Sequence, residues 1–142
     1  MTEHYGRLER RYLSAPCNDY YRPTMTIGRG TAEVAVEADR RFFHAAGAVH
    51  GSVYFKLLDD ASFFAANSLV KDVFVLTASF QLNFLRPVAS GRLRSEGRVV
   101  QASPKWILAE AVLKDGRDRE IGRGTGQFVK SRISLTAEIG YK

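Results

Sequence analysis

The chain has 142 residues, of which 45% are hydrophobic and 25% charged, with a formal net charge of +6. This length and composition are ordinary for a soluble globular protein and predict one domain over residues 1–142. No apolar run approaches the roughly 20 residues that cross a bilayer, residues 1–16 do not resemble a signal peptide, and one cysteine, Cys17, fits a reducing environment. We therefore expect a cytoplasmic protein without a membrane span.

The first half of the chain predicts a helix, a strand and a second, longer helix. Residues 4–14 are spaced as a short amphipathic helix, and residues 1–23 together form a helix and loop that lead into the domain. The segment TAEVAVEAD, residues 31–39, alternates apolar and polar residues and predicts a strand with Val34 on its inner side. Residues 51–69 contain no proline and no internal glycine, which predicts a helix of about five turns.

The second half predicts four strands joined by short turns. Strands are expected over residues 75–86, 92–101, 106–113 and 120–130, with a hairpin at Asp115-Gly116. An antiparallel sheet wrapped around one long central helix, in the α+β class, satisfies this order of elements. The clearest alternation predicts that one face of the first of these strands is apolar: Leu76, Ala78, Phe80, Leu82 and Phe84.

Two adjacent acids, Asp59 and Asp60, stand in the middle of the apolar helix. Lys56 precedes them by three and four residues, so either pair can form a surface ion bridge worth about 0.3–0.5 kcal/mol, and both acids would then simply be solvated. Alternatively, the backbone N–H groups at Gly51 can stabilise an oxyanion at the helix start. Asp59 lies just over two turns away, so we expect an active site that combines the two to need a second chain or a bulky substrate.

A longer motif covers this helix and the following strand. The pattern His-x-x-Gly-x-x-His-Gly-Ser runs from His44 to Ser52, and Asp59 follows after six residues. This resembles hotdog-fold acyl-CoA thioesterases of the phenylacetate-degradation (PaaI-like) type, in the 4-hydroxybenzoyl-CoA thioesterase superfamily, whose usual motif is Asn-x-x-Gly-x-x-His-Gly-Gly with an Asp nine residues after the histidine. The register continues through Thr77 and the NFLRP segment ending at Pro87, so that the resemblance spans about residues 30–130.

The resemblance implies a dimer in which one continuous sheet wraps two long helices, often paired again into a dimer of dimers, with active sites between subunits. By analogy Asp59 is the general base or nucleophile, the Gly51 amide is the oxyanion donor, and Thr77 of the partner chain helps to place the water. His44 and His50 of the motif are further candidate site residues. The implied substrate is an acyl-coenzyme A thioester, and neither a metal ion nor a separate cofactor is expected.

Three positions depart from the family motif. His44 replaces an Asn that contacts the thioester region in relatives, and Ser52 replaces the second glycine and narrows the approach to the helix start. Lys56 adds a charge that we expect to lower the pKa of Asp59. These departures leave a non-catalytic acyl-CoA-binding or regulatory protein as an alternative function. A hotdog hydratase or dehydratase is a third, although the His-Phe-Pro segment of many fatty-acid dehydratases is absent.

The excess positive charge lies in residues 86–132, which hold eleven Lys or Arg and five Asp or Glu, whereas the rest of the chain holds ten of each. A one-sided basic surface attracts nucleic acid, an acidic membrane or a phosphorylated small molecule, and a simply solvated face also fits. Aromatic and basic residues are not interleaved as in single-strand binders, so we expect no nucleic-acid partner. The candidates for contacting the phosphates of coenzyme A are Arg92, Arg94, Arg98, Lys105 and Arg123.

Overall fold

The computed structural model describes residues 2–142. Two helices, α1 (Thr2–Leu13) and α2 (Asn18–Tyr21), precede the strands β1 (Thr24–Gly28) and β2 (Thr31–Glu37). A single 3-10 turn (Arg40–Phe42) leads to the long helix α3 (Gly51–Asn67). Four strands and a second 3-10 turn follow: β3 (Val73–Phe84), β4 (Arg92–Ala102), β5 (Trp106–Lys114), β6 (Glu120–Ser134) and Ala137–Ile139.

The six strands form one antiparallel sheet in the order β1-β2-β4-β5-β6-β3. Every strand contributes contacts to α3, so the sheet curves around this helix and the α+β prediction is confirmed. The short strand β1 was not among the predicted elements. It is joined to β2 by Arg29 and Gly30, and Gly30 adopts the left-handed backbone conformation (φ +66°) that such a tight turn requires.

The core lies between α3 and the concave face of the sheet. Leu57, Leu58 and Ala61 of α3 are fully buried, and Val34 of β2 and Leu93 of β4 meet them from the sheet. The inward orientation predicted for Val34 is therefore confirmed. None of the helices within residues 2–142 is long and apolar enough to cross a membrane.

Helix α1 packs along β1 and reaches the side of α3 that the sheet leaves open. Its residues Leu8 and Tyr12 are buried, and the Tyr12 ring meets the Phe64 ring edge-on with centroids 5.1 Å apart. The Glu9 carboxylate accepts a hydrogen bond from the Ile27 amide at 2.7 Å, which ties α1 to β1. The N-terminal helix therefore covers part of α3.

A β-bulge divides β3 into two parts. Its pairing with β6 shifts register between Thr77 and Ser79, so the side chains exchange faces at this point. Val75 is fully buried and Leu76 is 43% exposed, which means that the residues before the bulge reverse the predicted alternation. The prediction that Leu76 and Ala78 share one apolar face with Phe80, Leu82 and Phe84 is wrong, because the extra residue at the bulge breaks the period of two. The prediction is correct after the bulge, where Phe80, Leu82 and Phe84 lie opposite the glycines of β6.

Large apolar side chains remain exposed along β3 and beside it. Phe84 is 60% exposed, Leu85 51%, Leu76 43%, and Phe55 on the neighbouring face of α3 40%. Strand β3 is also an edge of the sheet and is 12 residues long, so it presents a row of unpaired backbone groups. Long apolar edges are usually covered in native proteins, since they otherwise promote association.

Gly97 of β4 sets the distance between the sheet and α3. A methyl group at this position would overlap the Ala61 carbonyl and lie 2.8 Å from the Ser62 nitrogen, both in the helix backbone. We expect Gly97→Ala to destabilise the protein by about 3 kcal/mol or more, at the upper end of overpacking penalties, because helix backbone cannot move aside as a side chain can. Urea unfolding monitored by circular dichroism measures this change.

Gly116→Ala is the matched control, because an added methyl there is no nearer than 3.7 Å to any atom outside the adjacent residues. The control should remain within about 1 kcal/mol of the wild type. Equal effects of the two substitutions would contradict the close approach of β4 to α3.

Candidate active site

The Asp59 carboxylate lies where α3 meets β3. Its Oδ1 accepts a hydrogen bond from the Thr77 hydroxyl at 2.9 Å, and the two residues are 18 positions apart in the chain. The resemblance implied Thr77 of the partner chain, but the structure pairs Thr77 with Asp59 of its own chain. The physical reason is the bulge, which turns the residues before it toward the helix that their own sheet covers.

Burial controls the protonation of Asp59. The pKa of this carboxyl group is raised to about 6, chiefly by removal from water and to a smaller extent by the neighbouring Asp60 charge. The Thr77 hydrogen bond and the Lys56 charge act in the opposite direction, and the Lys56 contribution is the smallest of the four. The expected lowering of the Asp59 pKa by Lys56 is therefore outweighed by desolvation.

Lys56 pairs with Asp60 rather than with Asp59. Its Nζ lies 2.8 Å from Asp60 Oδ2, and the side chains are only 13% and 17% exposed. The Tyr12 hydroxyl of α1 donates a second hydrogen bond to the same oxygen at 2.7 Å. This pair is partly buried and has partners from two helices, so it differs from the solvated surface bridge that the spacing alone suggested.

The start of α3 carries the other half of the motif. His50 is the N-cap residue, and its Nδ1 accepts a hydrogen bond from the Ser52 amide at 3.0 Å. Within residues 2–142 the Gly51 amide has no hydrogen-bond acceptor, as expected for the first residue of a helix. The N–H group at Gly51 is thus available to a ligand, and His50 has a structural role in capping the helix.

An open groove of about 380 Å³ adjoins Gly51. His44 lines it and is exposed, with Nδ1 accepting the Ala46 amide at 3.1 Å and its ring centroid 6.5 Å from that of His50. The ring of Phe84 forms another wall and lies so close that a Cβ on Gly51 would be 2.8 Å from its edge. The glycine therefore admits both the ring and an approaching oxygen atom.

One chain does not bring Gly51 and Asp59 together. They are eight residues apart on one straight helix, which corresponds to about 12 Å along its axis. Asp59 does not line the groove at Gly51. The structure thus contains two separated halves: an oxyanion-type donor at the start of α3, and a buried acid with its hydroxyl donor further along.

Four of the five basic residues predicted to meet coenzyme A are already paired with acids. Lys105, in the turn between β4 and β5, has no acid within ion-pair distance in the described part of the chain. The paired residues and their distances are Arg92 with Glu37 at 3.8 Å, Arg94 with Asp118 at 2.6 Å, Arg98 with Glu110 at 2.5 Å and Arg123 with Glu120 at 2.5 Å.

Two other arginines line the groove at Gly51 or the depression beside it, and the sequence did not predict them. Arg86 lines the groove at Gly51, and Arg117 lines an adjoining depression that shares Pro87 with it. Both are exposed, and neither has an acid within ion-pair distance in residues 2–142. The sequence offered little reason to single out these two arginines, because both lie in loops, where no regular spacing relates them to Gly51. No group of three or more His, Cys, Asp or Glu side chains in this range is arranged to hold a metal ion.

Comparisons with known proteins bear on the fold and the family of this chain. A family model described as the thioesterase superfamily matches residues 46–121, which include the whole of α3 and the strand that binds Asp59. The chain belongs to the thioesterase superfamily. The E. coli PaaI protein from the phenylacetic acid degradation operon has the same fold, with a TM-score of 0.86 and 17% identity over 95% of this chain and 98% of that one.

Two relatives have higher sequence identity. The structure of a thioesterase family protein from Silicibacter pomeroyi is 27% identical, covers 88% of this chain and 96% of its own, and has a TM-score of 0.81. A Saccharolobus solfataricus protein named “Putative esterase SSO1253” is 25% identical over 75% of this chain and 71% of its own length. The predicted hotdog fold is confirmed, and membership of the superfamily supports thioester hydrolysis as the general activity.

The buried acid predicts a pH-dependent effect of Asp59→Asn on stability. A carboxyl group with a pKa near 6 in the folded protein and near 3.8 in the unfolded chain favours folding when protonated, and that contribution is lost as the pH rises through about 6. We expect Asp59→Asn to be more stable than the wild type by about 1–3 kcal/mol at pH 8 and by much less at pH 4, because Asn carries no charge and still accepts the Thr77 hydroxyl. Urea unfolding at the two pH values measures the difference.

Asp60→Asn is the matched control for this experiment. It removes the same charge one residue later but breaks a partly buried ion pair, so it should lower stability at pH 8. A wild type that is as stable as Asp59→Asn at both pH values would contradict the buried environment of Asp59.

Proposed function

We propose that this thioesterase-superfamily protein hydrolyses acyl-CoA thioesters as a homodimer, in which Asp59 of one chain acts together with the Gly51 amide of the other. The observation that carries the proposal is the Asp59 carboxylate, buried against Thr77 and with a pKa of about 6. A base with this pKa is largely ionised at neutral pH and strong enough to accept a proton from water during attack on a carbonyl.

The geometry supports a division of roles within Asp59. Thr77 donates to Oδ1, which leaves Oδ2 free to take a proton from a water molecule. The resulting hydroxide forms a bond to the thioester carbon, and the oxyanion receives a hydrogen bond from the Gly51 amide. Collapse of this intermediate breaks the C–S bond, and the thiolate takes the proton from Asp59 to give the free acid and coenzyme A. Direct attack by Asp59 would need the same carboxylate and the same donor.

The separation of the two half-sites supports a second chain. About 12 Å of helix lies between Gly51 and Asp59, while β3 offers a 12-residue unpaired edge beside exposed Phe55 and Phe84. Pairing of two β3 edges would extend the sheet, cover this apolar surface and bring the start of one α3 toward the middle of the other. A homodimer, or a dimer of dimers, is therefore part of the proposal.

Mixing two inactive variants tests the activity and the shared site together. We expect Asp59→Asn and Gly51→Ala each to reduce kcat for thiol release from acyl-CoA substrates by about 100-fold. This is the usual effect of removing a general base, or of disturbing the geometry of an oxyanion donor. In a mixed dimer one of the two sites has both native residues, so refolding an equal mixture should recover about a quarter of the wild-type activity. Thiol release measures the activity, and sedimentation measures the mass of the assembly.

The outcomes of the mixing experiment separate the alternatives. Recovery after mixing supports the shared site, whereas two variants that stay inactive in a mixed dimer would show that Asp59 of one chain does not act with Gly51 of the other, and would overturn the shared site. Saturable binding of a CoA ester without turnover by the wild type would identify a binding or regulatory protein instead. Loss of water from a 3-hydroxyacyl-CoA would revive the hydratase alternative.

Arg86 and Arg117 are proposed to bind the phosphates of the coenzyme, because they line the groove at Gly51 and the depression adjoining it and lack acidic partners in the described chain. We expect Arg86→Gln with Arg117→Gln to raise KM for an acyl-CoA about fivefold to tenfold, equivalent to about 1 kcal/mol of lost charge attraction. KM for the corresponding acyl-pantetheine, which lacks the nucleotide, should not change. Steady-state kinetics with both substrates measure the difference.

Arg98→Gln is the control, since Arg98 is held by Glu110 on the adjacent strand. A larger increase in KM for this control than for the double variant would contradict the proposal and indicate that the phosphates bind at β4, as the sequence predicted. The cytoplasmic location and the absence of a metal or separate cofactor stay predictions.

A further inference from the structure

The two adjacent acids of α3 have different partners. Successive residues of a helix point about 100° apart, so Asp59 and Asp60 cannot share one environment. Asp59 points to β3 and meets the Thr77 hydroxyl. Asp60 points to α1, where one oxygen accepts the Tyr12 hydroxyl at 2.7 Å and the Lys56 ammonium at 2.8 Å.

Two aromatic rings from the N-terminal helices enclose the Lys56 ammonium. Its Nζ lies 4.7 Å from the Tyr21 ring centroid and 5.4 Å from that of Tyr12. Cations are attracted to such ring faces, more strongly where water is excluded, and Lys56 is only 13% exposed. The Lys56–Asp60 pair is therefore held in place by α1 and α2 as well as by α3.

We propose that Asp60 is a positioning residue, paired with Lys56 and hydrogen-bonded by Tyr12 beside Asp59, and that this arrangement leaves Asp59 as the one acid of the two that transfers a proton during hydrolysis. The inference rests on the proposed role of Asp59 in thioester hydrolysis. It assigns a function to the N-terminal helices, which hold the neutralising pair next to the reactive acid.

The electrostatic consequence follows from the position of the pair. Four groups that carry a charge, titrate or form hydrogen bonds face Asp59: Asp60 and Lys56 of α3, Thr77 of β3 and Tyr12 of α1. The charge of Asp60 raises the pKa of Asp59 and the charge of Lys56 lowers it. Because the two charges have opposite signs, removing Asp60 should shift the pKa of Asp59 in the opposite direction from removing Lys56.

The experiment uses Asp60→Asn, Lys56→Met and the double variant in the full-length protein. Asp60→Asn removes the neighbouring anion and leaves Lys56 unpaired, so the acid limb of the kcat/KM profile should move to lower pH by about half a unit to one unit. Lys56→Met should move it to higher pH by a similar amount. The double variant, in which the net charge of the pair is again zero, should return close to the wild-type profile.

A direct readout does not depend on turnover. The carbon-13 shift of the Asp59 carboxyl group, followed by NMR against pH, reports its titration in the same variants. Lys71→Met and Asp72→Asn are the controls, since they make the same charge changes at two adjacent, exposed positions beyond the end of α3. They should leave both the titration and the activity unchanged.

The results distinguish this proposal from the proposed function. Opposite shifts in the NMR titration, without hydrolysis of any thioester, would retain the positioning role and remove the thioesterase mechanism. Shifts in the same direction, or no larger than those of the controls, would overturn the positioning role even in an active thioesterase. Asp60→Asn preserves the side-chain shape and an acceptor for Tyr12. If Lys56→Met does not fold, the shift of the Asp59 titration in Asp60→Asn is sufficient to test the positioning role.

Discussion

The burial of the Asp59 carboxylate at the contact between α3 and β3 is the constraint on which the site depends. A carboxylate removed from water needs compensation, and here the Thr77 hydroxyl supplies one hydrogen bond while the pKa rises toward neutrality. The bulge in β3 is needed to turn that hydroxyl inward. Gly97 lets the opposite part of the sheet approach the helix one turn further along, so the backbone around the acid has little freedom to relax.

In the proposed mechanism a single chain would be incomplete. Its helix start offers a free amide at Gly51, but the acid lies two turns away, and the strand that carries Thr77 ends in an exposed apolar edge with Phe84. The proposed homodimer would account for these features together, because pairing at this edge would bury the apolar surface and complete the site. Stability of the assembly and chemistry at the carboxylate would then depend on the same strand.

Residues of the three helices α1, α2 and α3 together balance the charges around Asp59. Asp60 would be a second buried anion if it were alone, and the Lys56 ammonium and Tyr12 hydroxyl offset it. The N-terminal segment, which covers the side of α3 that the sheet leaves open, therefore has an electrostatic as well as a packing role. Four arginines of the sheet are similarly paired with acids, whereas Arg86 in the groove at Gly51 and Arg117 in the adjoining depression have no acid within ion-pair distance in the described part of the chain.

The sequence by itself determined the long helix at Gly51, the inward alternation of β2 and the antiparallel order of the later strands, because helix starts and apolar periods are local properties. It also identified Asp59 and Thr77 through the spacing of a known motif. Only the tertiary structure decided that Thr77 binds Asp59 of its own chain, that β3 bulges between Thr77 and Ser79, and that Lys56 pairs with Asp60. These outcomes depend on contacts between residues distant in the chain, such as the pairing of β3 with β6. A local sequence pattern carries no information about the energies of such contacts.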